Sequence, residues 1–169
     1  MLANDLKAAG SFEDMFLSLT LANSGVVKGE SERDEHDGEI EIIGWNWGML
    51  SKTNMASGGP AGKATIKELS IRKGFDRSST VLMQALRTNE KVKKAVLSVR
   101  KAGGKQHDYL KITIENGRLT SYSVDTQGPC PMEEISFSFQ KISVEYKQQR
   151  ADGQPGPSMQ YSDEIFPDS

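Results

Sequence analysis

A single cysteine, two histidines and no long apolar run set the first limits on this chain of 169 residues. One thiol, Cys130, excludes an internal disulfide. Its Gly128-Pro129-Cys130-Pro131 setting reads as a turn with a small buried or loop residue, not a reactive thiol. The count fits synthesis in a reducing cytoplasm. No segment approaches the ~20 apolar residues that a membrane helix needs, so membrane insertion is not expected. Met1–Gly10 has neither a charged n-region nor an apolar h-region, so no cleaved signal peptide is expected. A basic surplus is missing as well. Lys and Arg number 21 against 23 Asp and Glu, for a net charge of −2, which argues against a nucleic-acid partner. Hydrophobic residues make up 36% of the chain, a modest share that suits strands with one polar face. At this length one domain is the simplest reading, and it can bury roughly 70% of its unfolded surface without staples.

Searches for chemistry fail in turn. Gly58-Gly59-Pro60-Ala61-Gly62-Lys63 is superficially similar to a phosphate-binding loop. That motif needs glycine at 57 and Ser or Thr at 64, where this chain has Ser57 and Ala64, and a strand pattern follows instead of a helix. The acidic run Glu30, Glu32, Asp34, Glu35, Asp37 and Glu39 surrounds His36, but the calcium-loop frame puts Arg33 and Gly44 where carboxylates are required. It reads as a solvated loop, with a second use in docking against Lys91, Lys93 and Lys94 of an adjoining subunit. His107-Asp108 lacks a nucleophile elbow, and two histidines with one cysteine show no zinc spacing. No catalytic, cofactor-binding or metal-binding residue is therefore assigned, and no enzyme is expected. Trp45 and Trp47 share a strand face and read as core or interface packing rather than a stacking platform.

Strand periodicity dominates what is there. Met15, Leu17 and Leu19 alternate, as do Ile40 and Ile42. The phase then slips to Ile43, Trp45 and Trp47. It slips again from Ala64 and Ile66 to Leu69 and Ile71, and from Ile135, Phe137 and Phe139 to Ile142, Val144 and Tyr146. A one-residue slip moves the apolar set to the other face, so three slips predict bulges or bends, as a barrel uses at its corners. They also predict a second apolar face that a lone monomer would expose, which points to subunit packing. Asn116-Gly117 predicts a hairpin between Lys111–Glu115 and Arg118–Asp125. Gly103 and Gly104 predict a tight turn between Ala95–Lys101 and Asp108–Glu115. One helix is predicted over Arg77–Thr88, capped by Asp76, Ser78 or Ser79, with Val81, Leu82, Ala85 and Leu86 as its apolar stripe. The fold class is mainly β: an antiparallel barrel of seven to eight strands with one flanking helix. Residues 1–13 read as an N-terminal extension, 14–150 as the barrel domain and 151–169 as a frayed tail rich in glycine and proline. Asn23–Gly38 and Gly48–Gly62 read as loops. The second is long enough to require a function.

The run Arg100-Lys101-Ala102-Gly103-Gly104-Lys105-Gln106-His107-Asp108-Tyr109-Leu110-Lys111-Ile112 resembles a signature of the haemolysin co-regulated proteins (Hcp), the tube subunits of type VI secretion. Further segments agree in order: Asp14–Leu19, Val27-Lys28-Gly29-Glu30-Ser31 with Asp34 and His36, Trp45-Asn46-Trp47-Gly48, and Phe137–Ile142 with Glu145, Tyr146 and Gln149. The chain departs from the pattern in its N-terminal extension, its charged Arg87–Lys94 link and a less glycine-dense Gly48–Gly62. The resemblance implies a non-enzymatic β-barrel that forms hexameric rings, stacked into a tube whose lumen carries or chaperones secreted effectors. Sheath, spike and effector proteins are its implied partners. The implied location is the bacterial cytoplasm before firing, then the medium or a target cell. It also makes the Gly48–Gly62 segment an arm to a neighbouring subunit or ring, through Met49, Leu50, Ser51, Met55, Ser57, Gly58 and Gly59. A tail-tube protein of a phage or other contractile injection system is the nearest alternative. A monomeric ligand-binding barrel is an alternative of another class.

Overall fold

The computed structural model describes residues 13–59, 62–101, 107–126 and 128–165. Among them it has twelve strands and one helix. The strands are β1 (Glu13–Leu21), β2 (Gly25–Val26), β3 (Ile40–Ile42), β4 (Gly44–Asn46), β5 (Met49–Leu50), β6 (Thr65–Ile66) and β7 (Leu69–Gly74). The helix α1 (Ser79–Arg87) follows, then β8 (Lys91–Lys101), β9 (Leu110–Asp125), β10 (Met132–Ser138), β11 (Lys141–Gln149) and β12 (Pro155–Glu164). All pairings are antiparallel. The hydrogen-bonded path runs β1-β8-β9-β10-β7-β4, and β3 returns to β1. The short stretch from Ile40 to Asn46 thus bonds β1 with its first half and β7 with its second, bridging the two ends of the path in a barrel-like arrangement. Leu17, Leu19, Ile40, Ile42, Leu69, Ile71, Leu97, Ile114, Ile135 and Phe137 fill its interior.

The three slips in apolar phase acquire physical causes here. At Ile43 the chain changes partner: its N–H donates to Arg72 O, and β4 then pairs with β7. Between Ile66 and Leu69 it changes sheet, because β6 pairs only with β5 while β7 joins the barrel. At Phe139-Gln140 one long run opposite β9 is interrupted, with β10 before the break and β11 after it. These three splits, with the additional strands β2, β5 and β12 and one β9 in place of two predicted strands, account for twelve where seven or eight were predicted.

The hairpin predicted at Asn116-Gly117 is not formed. Strand β9 passes straight through, and β8 stays in register along it from Lys91↔Arg118 to Val99↔Leu110. A two-residue type I′ turn needs positive φ at both central residues, and of this pair only Asn116, at φ 54°, is in that region. Gly117 serves close approach instead: a Cβ there would lie 2.0 Å from Ser138 O. The two interruptions face each other, and the Gln140 N–H donates to Glu115 O and Asn116 O at 3.1 Å. Register with the facing run is unbroken across this point, from Ser138↔Arg118 to Lys141↔Glu115, and the bulge lies nearby, between Ser136 and Phe137 opposite Thr120.

Residues 151–169 are not a frayed tail throughout. Strand β12 pairs with β11 from Lys141↔Glu164 to Gln149↔Pro155. Gly156 fits beneath it because a side chain would meet Gln148 O at 2.8 Å. The prolines are tolerated because β12 bonds a neighbour on one side only, where an edge strand can spare an N–H.

The helix starts two residues later than predicted. Asp76 Oδ1 accepts the Ser78 N–H at 2.8 Å, and Ser79 Oγ accepts the Asp76 N–H at 3.0 Å. Leu82 and Ala85 are buried, with Val81 and Leu86 packed at the edge of the core. Asn89, at φ 56°, ends the element in the left-handed conformation common after helices. A fully buried ion pair, Lys73–Glu133, anchors the helix start to the barrel. Lys73 Nζ also donates to Gly74 O, Asp76 Oδ1 and Ser79 Oγ, while Glu133 accepts from Ser79 Oγ and the Tyr122 hydroxyl. Burial and the Glu133 carboxylate together push the Tyr122 hydroxyl above its ordinary pKa.

Candidate assembly surface

Strands β9, β11 and β12 carry two apolar rows outward from the core. In one, Ile112, Val144 and Tyr161 lie opposite one another, and in the other Leu110, Tyr146 and Met159 do. Directly paired residues share a face. Exposure rises along each row. Ile112 is buried, Val144 half-buried and Tyr161 41% exposed; Leu110 is half-buried, Tyr146 43% exposed and Met159 60% exposed. Tyr109 packs edge-on against Tyr146, with ring centroids 6.5 Å apart. On the opposite face Gln160 donates to Glu145 at 2.9 Å, as a solvated face should. The core surface therefore continues past the barrel onto a two-stranded flap that nothing covers among the described residues. Beyond the flap, β12 leaves one backbone edge unpaired there.

The 48–62 arm rises beside this flap. Its base is the β5–β6 pair, Met49↔Ile66 and Leu50↔Thr65. Its tip is held by short turns: Asn54 N donates to Gly59 O at 2.6 Å, Gly58 N to Asn54 O at 2.8 Å, and Asn54 Oδ1 accepts the Ala56 N–H at 2.9 Å. Met55 stands at that tip 97% exposed, and Met49 and Leu50 are more than half exposed. Ser51, Ser57 and Gly58 are exposed, while Gly59 is half-buried. The Tyr161 hydroxyl, which donates to Asp163 Oδ2 at 3.0 Å, lies 3.8 Å from Met49 Sδ, so arm and flap touch. Trp45 and Trp47 pack against the core. Gly103 and Gly104 lie outside the described residues, as does the turn they were predicted to make.

Sequence reasoning singled out the 48–62 segment and missed the flap. Gly153, Pro155, Gly156 and Pro157 hid the strand, although the alternation of Met159, Tyr161 and Ile165 carries its signal. The acidic loop takes a different position from the basic residues proposed to dock with it. His36 lies beside Asp108, next to the Arg100 end of β8, whereas Lys91 begins that strand roughly 30 Å away along an extended chain. Docking between them would therefore be between subunits, as expected from the sequence. The His107-Asp108 pair suggested by sequence is not a unit either, since Asp108 serves His36.

Comparison with known proteins agrees with this geometry. A family model described as "Type VI secretion system effector, Hcp" matches residues 16–146. The chain is 37% identical over 145 residues to protein hcp1 of Pseudomonas aeruginosa, covering 83% of this chain and 86% of that protein. Its fold is similar to the structure of Hcp1 from Salmonella typhimurium, with a TM-score of 0.73, 25% identity, and 91% and 95% of the two chains covered. It is similar also to Hcp1 of an enteroaggregative E. coli, with a TM-score of 0.76, 20% identity, and 89% and 97% covered. A match across most of the chain, a relative well above 30% identity and a barrel with an outlying apolar flap lead to one conclusion: the chain belongs to the Hcp family of type VI secretion tube proteins.

Proposed function

We propose that this protein acts as a homohexameric ring subunit of a secretion tube, with the flap and the 48–62 arm as its contacts to neighbouring copies. The observation that carries the reading is the outward continuation of the core face through Val144, Tyr146, Met159 and Tyr161. An apolar surface of that kind marks an interaction site in a soluble protein. A flap carrying the core's own surface can complete a neighbour's core, and the same patch used head-to-tail around a rotation axis closes into a ring. The methionines of the arm suit a contact that forms repeatedly, because an unbranched thioether adapts to its partner. Rings of this type stack, enclose a lumen able to carry effectors, and meet the sheath and spike of the secretion machine. Function of this kind is geometric and draws on no catalytic residue.

The test is the mass of purified protein by light scattering, combined with negative-stain imaging. Rings of six subunits are expected at micromolar concentration. A monodisperse monomer across ordinary salt would refute the reading and favour a ligand-binding barrel.

A further inference from the structure

The chain contains one buried histidine, and its surroundings give that residue a task separate from ring contact. His36 is 5% exposed and lies flat against Phe16 of β1, with ring centroids 4.4 Å apart and planes 8° apart. Both ring nitrogens face carboxylates. Nδ1 meets Glu39 Oε2 from its own loop, and Nε2 meets both Asp108 oxygens, at 3.0 and 3.1 Å, from the stretch before β9. A neutral imidazole can donate from one nitrogen only, so two acceptor-only partners call for the doubly protonated ring. Two cations and a further carboxylate lie close by. Arg100 of β8 sits 5.1 Å from the centre of the Phe16 ring and donates to Asp34 O at 3.2 Å. Lys111 Nζ is 3.9 Å from Asp108, and buried Asp14 of β1 lies opposite Arg100 in the strand register.

We infer that His36 is an imidazolium latch: while protonated it fastens the Val27–Glu39 loop to the barrel, and alkaline pH releases that loop.

Besides His36, the loop is tied to the barrel by the Val27 N–H to Leu19 O at 2.9 Å, the Arg77 N–H to Glu30 Oε2 at 3.3 Å and Arg100 to Asp34 O at 3.2 Å. Its backbone bonds are mostly its own, from Gly29 N to Gly38 O, Ser31 N to Glu39 O, Gly38 N to Ser31 O and Glu39 N to His36 O. Its exposed carboxylates, Glu32, Asp34, Glu35 and Asp37, repel one another. Loss of the His36 proton would leave Glu39 and Asp108 facing each other across a neutral ring. Burial by itself lowers the histidine pKa, but the hydrogen bonds and charges of Asp108 and Glu39 outweigh it and raise the value to about 9. A pKa raised on folding stabilises fully below the unfolded value and is lost as pH climbs through the folded one. The latch is therefore complete below about pH 6.5 and lost through about pH 9. Asp108 bounds the acid side. Burial raises its pKa, yet the bond and charge of His36, helped by Lys111 and Arg100, hold it below its ordinary value. The latch thus survives mild acid and opens toward base, opposite to an acid-triggered histidine switch.

The experiment follows the His36 ring resonances by NMR from pH 5 to 10.5. In parallel, hydrogen exchange of the amides of residues 29–39 is measured and corrected for the intrinsic pH effect. The expected midpoint lies more than one pH unit above that of a free histidine, and loop protection falls at least tenfold across it. Glu39→Gln removes one acceptor charge on a partly exposed side chain and should lower the midpoint while the barrel stays folded. His36→Gln should lower loop protection and abolish its pH step. If that variant does not fold, the wild-type titration and Glu39→Gln decide alone. A midpoint at or below 6.5, or protection indifferent to the ring's charge, overturns the latch. Neither readout depends on ring formation, so the two proposals fail separately.

Discussion

Replacing Lys73 with methionine should be among the most damaging single changes outside the apolar core. Lys73 and Glu133 are both 0% exposed, with Nζ 2.5 Å from Oε1. The ammonium has three protons and four oxygens within 3.1 Å: Gly74 O, Asp76 Oδ1, Ser79 Oγ and Glu133 Oε1. Lys73→Met keeps most of the stem volume and removes the charge. Glu133 is then left in the interior with Ser79 and Tyr122 as donors and no cation. Breaking one side of a buried pair destabilises by about 3–5 kcal/mol, most of it the uncompensated charge. The two remaining hydroxyl donors place the expectation near the lower end, about 3 kcal/mol.

Urea denaturation followed by circular dichroism would measure the loss. With a slope of about 2 kcal/mol per molar, the midpoint should fall by about 1.5 M at unchanged slope. Two protein concentrations are needed, because assembly adds concentration-dependent stability. The decisive comparison is Lys73→Met combined with Glu133→Leu. Removing both charges eliminates the stranded carboxylate, so the double variant should recover at least about 2 kcal/mol of the single loss. A single-variant loss under about 1 kcal/mol, or a double variant no better than the single, would refute the view that charge pairing holds this hub.

Three further outcomes follow from the geometry. Gly117→Ala should lower stability by about 2 kcal/mol or more, since the added Cβ would lie 2.0 Å from the Ser138 carbonyl; a melting temperature within 2 °C of the parent would remove the close-approach argument. Met159→Asp puts a charge on the 60% exposed end of an apolar row and should abolish rings while changing monomer stability by less than about 0.5 kcal/mol; rings of normal mass in electron micrographs would contradict the flap interface. Deleting Ser51–Gly59 should leave β-rich circular dichroism intact and weaken assembly, and full secretion by the deletion strain would reduce the arm to a tolerated loop.

How far the sequence could be read depended on how locally each feature is determined. The barrel strands were legible because alternation such as Met15, Leu17, Leu19 is written into adjacent residues, and those residues are buried. The helix was legible from a local stripe and the capping Asp76 ahead of it. Asn116-Gly117 misled because the same dipeptide serves a turn or a point inside a strand where a neighbour presses close. The choice was made by Ser138, a residue 21 positions away in the chain that presses its carbonyl onto Gly117. The flap was hidden for a related reason: Pro155 and Pro157 disfavour strands in general, but only the topology reveals that β12 is an edge with N–H groups to spare.

The same division applies to function. Motif searches treated His36 as a potential ligand in an acidic loop, since sequence cannot show that Asp108, 72 residues on, closes over its second nitrogen. What the sequence did carry was the inconsistency in apolar phase. Every slip proved to be a place where the chain changes partner or sheet, or where a long ribbon bends. The last slip sends β11 outward to meet β12, and this creates the apolar surface that the barrel alone cannot cover. The outlying apolar surface was therefore encoded in the pattern before it could be drawn. A chain that only needed to fold would have kept Val144, Tyr146, Met159 and Tyr161 polar, at little loss to a core already filled by Ile112 and Ile142.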